Sequence, residues 1–317
     1  MNINELDEQQ KLYKIILITG GAGFLGRHLC KKLLENDNNK IICVDNLITG
    51  KLSNIEEFIH NDRFRFITHD ITKEINFTHI DEIYNLASLA SPDKYKKYPI
   101  ETIMVNFIGT KNMLDLAKKH NAKILLTSTS EVYGDPEIHP QPEEYYGNVN
   151  TIGERSCYDE SKRLAETIMY EYRKLYNLDT KIVRIFNTYG TYMDERDGRV
   201  ITNFIYKIKN NKSIEIYGDG NQTRSFCYVD DMIDGLIKMM NSIESGPINL
   251  GNPNCEFTLN ELVHLLEKIN NKKFDVKYLE KTENDPKCRK PIIDKAIEKL
   301  NWYPKINLED GLKICTK

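Results

Sequence analysis

Six short runs of mostly Ile, Leu and Val mark the first two-thirds of the chain, at residues 15–19, 40–44, 64–68, 82–86, 123–128 and 181–186. They are almost continuously apolar, as strands buried on both faces of a sheet are. Between them the apolar positions recur at helical spacing. Residues 24–35 carry Leu25, Leu29 and Leu33 on one side, and residues 100–120 carry Ile100, Ile103, Met104, Phe107, Ile108, Leu114 and Ala117. Residues 158–176 carry Leu164, Ile168, Tyr172 and Leu175 in the same way. Strand and helix in alternation predict a parallel sheet covered on both faces, and right-handed crossovers make it a doubly wound α/β fold.

The last third breaks this rhythm. Turn residues cluster at 217–221 (YGDGN) and 251–254 (GNPN), a helix is predicted over 259–269 and another near 292–300, and 247–250 reads as a late strand. There is no internal repeat and no low-complexity linker. The pattern predicts a first domain over 12–190, with late returning elements near 214–250, and a smaller, interleaved lobe formed mainly by 191–317.

Composition narrows the class. Of 317 residues, 40% are hydrophobic and 29% charged, as in a soluble globular protein. A net charge of −3 argues against a nucleic-acid partner. No apolar stretch approaches the ~20 residues that span a bilayer, and the polar, acidic start MNINELDEQQ reads as neither signal peptide nor anchor. The seven cysteines are odd in number and lack a C-x-x-C, which predicts free thiols in a reducing, cytoplasmic setting. The histidines show no ligand spacing, so no metal site is predicted.

The first candidate site follows the first strand. Gly20-Gly21-Ala22-Gly23-Phe24-Leu25-Gly26 leads from that strand into a helix. Gly20 allows the sharp turn, Gly23 lets a pyrophosphate approach the backbone, and Gly26 allows close helix packing. The helix N-terminus presents free N–H groups and a positive dipole end to phosphate. Asp45 ends the second strand, 19 residues beyond Gly26, where a carboxylate can accept from both ribose hydroxyls and repel a 2′-phosphate. These features predict a Rossmann site for NAD rather than NADP.

The second candidate site is Tyr158-Asp-Glu-Ser-Lys162, at the start of a helix after the fifth strand, where the spacing of four puts both side chains on one face. An ammonium beside a phenol favours phenolate, so Lys162 is expected to depress the Tyr158 pKa toward neutrality and make Tyr158 a base for a substrate hydroxyl. Ser128, Thr129 and Ser130 end the strand before it.

With these motifs in place, the chain resembles the extended short-chain dehydrogenase/reductases that act on nucleotide sugars. TGGAGFLG, NLAS, STSEVYGD, YDESK, RIFNTYG and GDGNQTRSFCYVDD occur in family order over nearly the whole length. Within that family it is most similar to the UDP-glucuronate decarboxylases (UDP-xylose synthases), through VDNLITG at 44–50, HDI at 69–71, STSEVYGDPEIHPQPE at 128–143, CYDESKR at 157–163, IFNTYG and DGRV within 185–200, and DPKCRKP at 285–291. Related 4,6-dehydratases carry Asp-Glu after the Thr, and related 4-epimerases lack the acidic pair. Here the sequence is Thr129-Ser130-Glu131. Ser cannot supply the dehydratase acid, and simple epimerisation needs no Glu.

The resemblance implies an NAD-dependent lyase. Tyr158 and Lys162 oxidise carbon 4 of UDP-glucuronate, carbon dioxide leaves from the resulting β-keto acid, and carbon 4 is reduced again with NAD recycled. An NAD-dependent UDP-sugar 4-epimerase or 4,6-dehydratase is the alternative. The resemblance to the decarboxylases implies that Thr129 stabilises developing charge, that Ser130 and Glu131 orient the sugar, and that Arg289 lies near the carboxylate and acts in proton return. It further implies NAD contacts from Phe24, Leu25, Asn46, Thr49, Gly50, Asp70, Ile71, Leu86, Ser88 and Arg199, in addition to Gly20, Gly23, Gly26, Asp45, Tyr158 and Lys162. Asn187 and Arg224 are implied at the diphosphate sugar. Met104 departs from the decarboxylase pattern, which often has Lys there. The resemblance also implies that the apolar stripes of 100–120 and 158–176 form a four-helix homodimer interface.

Overall fold

Seven parallel strands form the central sheet of the computed structural model, which describes residues 13–280 and 288–316. They are β1 (Lys14–Thr19), β2 (Asn39–Asp45), β3 (Phe64–Thr68), β4 (Glu82–Asn85), β5 (Lys123–Thr129), β6 (Thr180–Ile185) and the late strand Ile248–Leu250. Their order is β3-β2-β1-β4-β5-β6 followed by Ile248–Leu250. The six apolar runs of the sequence are six of these strands. The order reverses between β1 and β4, and a crevice outside the carboxyl ends of the strands at that point is where doubly wound sheets bind ligands.

The sheet is apolar on both faces because helices cover both. Ile16 and Ile18 of β1 join Leu29 of α1 (Phe24–Leu34) and Met232 and Leu236 of the helix Val229–Asn241 in one core. Leu17 points the other way and joins Met113 of α4 (Thr110–His120) and Ala165 and Met169 of α5 (Ser156–Tyr176) in the second. The side-chain alternation of a strand produces this division.

Residues 100–120 do not form one even helix. After α2 (Pro92–Lys97) come α3 (Pro99–Met104), a wider π-helical turn at Val105–Gly109, and α4. The extra residue in that turn directs Asn106 inward. Its amide accepts from Ser88 Oγ at 2.8 Å and donates to Ser161 Oγ at 2.9 Å, tying the end of β4 to α5. Such turns recur at functional sites.

Of the late returning elements, Ile248–Leu250 pairs with β6 in the central sheet, whereas Ile214–Tyr217 pairs with Val276–Leu279 and stays outside it. Thr223–Ser225 pairs antiparallel with Glu256–Thr258. The helix Leu259–Asn270 follows, opened by a capping box between Thr258 and Glu261. Trp302 is fully buried and donates from Nε1 to the Asp231 carbonyl at 2.9 Å, which fastens the C-terminal segment to the helix Val229–Asn241. Residues 285–287 of the DPKCRKP segment lie outside the described residues.

Candidate active site

A cavity of about 730 Å³ opens at the β1/β4 switch point. It is lined by Gly20, Gly23, Phe24, Leu25, Gly26, Asp45, Asn46, Thr49, Asp70, Ile71, Leu86, Ser88 and Arg199, thirteen of the sixteen residues assigned to the dinucleotide. Gly20 sits at φ +69°, a conformation that favours glycine, and a Cβ on Gly26 would meet the Gly20 carbonyl at 2.2 Å. No side chain caps the N-terminus of α1, so its first N–H groups are left for a phosphate. Asp45 accepts from the backbone N–H groups of Ala22 at 3.1 Å and Leu47 at 2.8 Å. Burial pushes its pKa up, and those two N–H groups oppose the shift. Gly50 does not line the cavity. It backs the Asp45 carboxylate so closely that a Cβ there would lie 2.7 Å from Oδ1.

The remaining two, Tyr158 and Lys162, line a smaller cavity of about 140 Å³ that shares Phe24, Leu25, Leu86, Ser88 and Arg199 with the first. Thr129, Ser130, Glu131 and Asn187 line it too. The carboxyl end of β5 carries Thr129, the short turn Ser130–Tyr133 carries the next two, and the first turns of α5 bring Tyr158 and Lys162 against them.

Tyr158 is 5% exposed and stacks on Tyr95 with ring centroids 5.3 Å apart. Burial pushes its pKa up to about 12, against the Thr129 hydroxyl that bonds it and the charge of Arg199. This corrects the expectation that Lys162 brings the phenol toward neutrality. The Lys162 ammonium donates to the Thr127 carbonyl at 3.0 Å and lies 5.9 Å from the centre of the Tyr158 ring. Burial lowers the Lys162 pKa to about 8, and Glu166 acts in the opposite direction. Desolvation thus outweighs the opposing charge at both groups, Arg199 at Tyr158 and Glu166 at Lys162.

Glu131 is clamped. Its Oε1 pairs with Arg289 Nη1 at 2.9 Å and its Oε2 with Arg155. Burial would raise its pKa, but the two guanidinium groups outweigh burial and hold it at about 2. Arg289 is 2% exposed; it also donates to Ser130 Oγ at 3.2 Å and to the Gly134 carbonyl at 2.8 Å, and its Nε has no partner. Arg289 lines neither cavity and reaches the smaller one through Glu131 and Ser130. Arg224 also lines neither; it lies on the strand Thr223–Ser225 and donates to the Thr223 carbonyl at 2.8 Å. Arg155 and Tyr95 were not found from the sequence. Arg155 stands three residues before Tyr158, just outside the Y-x-x-x-K pattern, and no spacing rule links it to Glu131.

The model of the NAD dependent epimerase/dehydratase family matches residues 16–251. The chain belongs to this family. UDP-glucuronic acid decarboxylase 3 of Arabidopsis thaliana is 52% identical over 94% of this chain and 87% of its own. UDP-glucuronic acid decarboxylase 1 of Danio rerio is 47% identical over 96% of this chain and 72% of its own. The fold matches family members of other activities as well. The crystal structure of UDP-glucuronic acid 4-epimerase from Bacillus cereus, in complex with UDP-glucuronic acid and NAD, superposes with a TM-score of 0.85 at 30% identity, covering 95% of this chain and 97% of that one. As an epimerase/dehydratase family member the chain uses NAD, and the switch-point cavity, with its glycines and uncapped helix, fits that cofactor. Among the described residues no helix is long and apolar enough to cross a membrane, and no cluster of three or more His, Cys, Asp or Glu side chains could hold a metal.

Proposed function

We propose that the protein converts UDP-glucuronate to UDP-xylose and carbon dioxide, with oxidation and re-reduction at carbon 4. The observation that carries this reading is the end of β5: Ser130 and a Glu131 kept ionised by Arg289 and Arg155, beside Thr129, Tyr158 and Lys162. A dehydratase needs a proton donor at this place, and neither a serine nor a glutamate held at about 2 is one. The curated decarboxylases, about half identical over most of the chain, support the same reading.

In this reading NAD supplies the hydride acceptor and donor, held by the glycine turn, Asp45 and the ends of β3 and β4. Tyr158 takes the proton of the carbon-4 hydroxyl, and Thr129 bonds the oxygen where charge develops. Oxidation makes carbon 4 a ketone β to the carboxylate, so the bond to carbon dioxide breaks and its electron pair enters an enolate. Ser130 and Glu131, framed from behind by Arg289, hold the sugar ring during this step, and a proton returns to carbon 5. Asn187 lines the same cavity and is proposed at the diphosphate sugar. The test is to incubate the protein with UDP-glucuronate, UDP-glucose and UDP-N-acetylglucosamine and identify products by mass. Equal UDP-xylose and carbon dioxide with no net NADH are expected. UDP-galacturonate, or water loss from UDP-glucose, would replace this reading with an epimerase or a dehydratase.

Cofactor choice is assigned to Asp45. A 2′-phosphate beside its carboxylate meets like charge, so NADP should bind at least about tenfold more weakly than NAD, ~1.4 kcal/mol. Equal affinities in a calorimetric titration would remove Asp45 from this role. Two finer assignments go with the reading. The seven cysteines are free thiols, which suits a reducing cytoplasm. Ile103, Leu164 and Leu175 leave apolar surface exposed on α3 and α5, which suits a homodimer through those helices. A light-scattering mass of one chain would exclude that dimer.

A further inference from the structure

Glu166 lies one turn beyond Lys162 on α5, so Tyr158, Lys162 and Glu166 follow one another at a spacing of four. The reading above places the first two in the site and gives Glu166 no part. Both oxygens of the Glu166 carboxylate are engaged. Oε1 accepts from Ser128 Oγ at 2.6 Å and from Arg184 Nε at 3.0 Å, and Oε2 accepts from Arg184 Nη2 at 2.7 Å. Ser128 stands on β5 between Thr127, whose carbonyl holds Lys162, and Thr129, which bonds Tyr158. Arg184, on β6, also donates to the Tyr133 hydroxyl at 3.0 Å and to the Glu143 carbonyl at 3.0 Å, with its guanidinium 4.9 Å from the centre of the Tyr133 ring. The pair therefore grips residues 128–133 at both ends, and Thr129, Ser130 and Glu131 lie between the two grips.

We propose that Glu166, braced by Arg184, is a positioning residue for the reaction: it fixes residues 128–133 against α5 and places a negative charge one helical turn from Lys162. The inference rests on the decarboxylase reading above. Its geometric half follows from the two-point Arg–carboxylate contact, which sets orientation as well as distance. A displacement of ~1 Å in such a frame can cost about 100-fold in rate. Its electrostatic half follows from what surrounds Lys162. The charged and titratable groups facing that region are Tyr158 and Glu166 from α5, Glu131 beyond β5, Arg184 from β6 and Arg199 from the segment before the helix Val200–Lys209. Two are cations, Tyr158 is neutral, and Glu131 already carries two guanidinium groups. Among the described residues, Glu166 is the charged side chain that opposes the burial driving Lys162 toward its neutral form.

Three variants test this, each read by kcat, KM, the pH profile, NAD affinity and thermal midpoint. Glu166→Gln keeps the shape and removes the charge. Lys162 must be protonated to act, so lowering its pKa moves the alkaline limb of kcat/KM to lower pH; a shift of about one unit is expected, with kcat down about tenfold or more and KM within about twofold. Glu166→Asp keeps the charge but is one methylene too short for both partners, so kcat should fall with the limb unmoved. Ser128→Ala removes one contact from the strand side with little risk to folding, and kcat should fall about threefold at unchanged NAD affinity. A purely structural role lowers the midpoints and leaves the limb in place. An unmoved limb in Glu166→Gln overturns the electrostatic half, and unchanged kcat in Ser128→Ala overturns the positioning half even if the Gln variant fails to fold. Absence of UDP-xylose from the wild-type protein strikes the functional reading instead, so the two failures are distinct.

Discussion

Tyr158→Phe should abolish the first half of the reaction. The ring and its stacking on Tyr95 at 5.3 Å remain, so the fold has little reason to change. The Thr129 hydroxyl that bonds the phenol is not orphaned, because it also accepts from the Glu131 N–H at 3.2 Å. What disappears is the group that takes the carbon-4 proton. A loss of ~10²-fold or more in kcat, about 2.7 kcal/mol of barrier, is expected. Because the missing step comes first, a single turnover with UDP-glucuronate should show no reduced cofactor, while NAD affinity and thermal midpoint stay near wild type. Reduced cofactor forming at the wild-type rate would assign the base to another group. The buried phenol, pushed up to about 12, sharpens the demand on the site. The Thr129 hydroxyl and the charge of Arg199, which favour the phenolate, oppose that burial.

The central sheet was legible because its strands are buried on both faces. A strand such as β1, with Ile16, Leu17 and Ile18 fully buried, has no solvent side and reads as an unbroken apolar run. The glycine turn and Asp45 were legible because the constraint is local: Gly20 needs positive φ, and Gly26 has no room for a Cβ. The parts that escaped depend on distant partners. Asn106 makes a π-helical turn worthwhile only because Ser88 and Ser161 wait on either side of it. Ile214–Tyr217 falls in the stretch read as returning to the first domain, yet its partner, Val276–Leu279, lies some sixty residues on and outside the central sheet. Arg155 sits in the sequence as a loop residue and becomes a site residue only when the turn after β5 brings Glu131 to it. The Tyr158 pKa escaped for a different reason. Spacing puts Lys162 on the right face of α5, but spacing says nothing about desolvation, which dominates both groups.

Arg289→Ala should fail at the opposite end of the reaction from Tyr158→Phe. Arg289 lies behind the smaller cavity rather than in its wall, and it acts there through Glu131 at 2.9 Å and Ser130 at 3.2 Å. Removing it leaves Tyr158, Lys162, Thr129 and the dinucleotide cavity in place, so oxidation at carbon 4 should proceed. Glu131 keeps Arg155 as a partner and does not become an unpaired buried charge, which limits the loss of stability. The group lost is the one that ties Glu131, Ser130 and the Gly134 carbonyl into one frame. If Arg289 only gripped substrate, saturation would restore the rate, because uniform binding energy alters KM alone. A frame that holds the carboxylate and the returning proton acts on the steps after oxidation, so kcat should stay low at saturation, by about 10²-fold. Reduced cofactor should then accumulate in a single turnover, the reverse of the Tyr158→Phe signal, and Arg289→Lys should recover only part of the rate because one ammonium cannot reach all three partners. Full kcat for Arg289→Ala at saturating UDP-glucuronate would take Arg289 out of the reaction and leave it a ligand-binding residue.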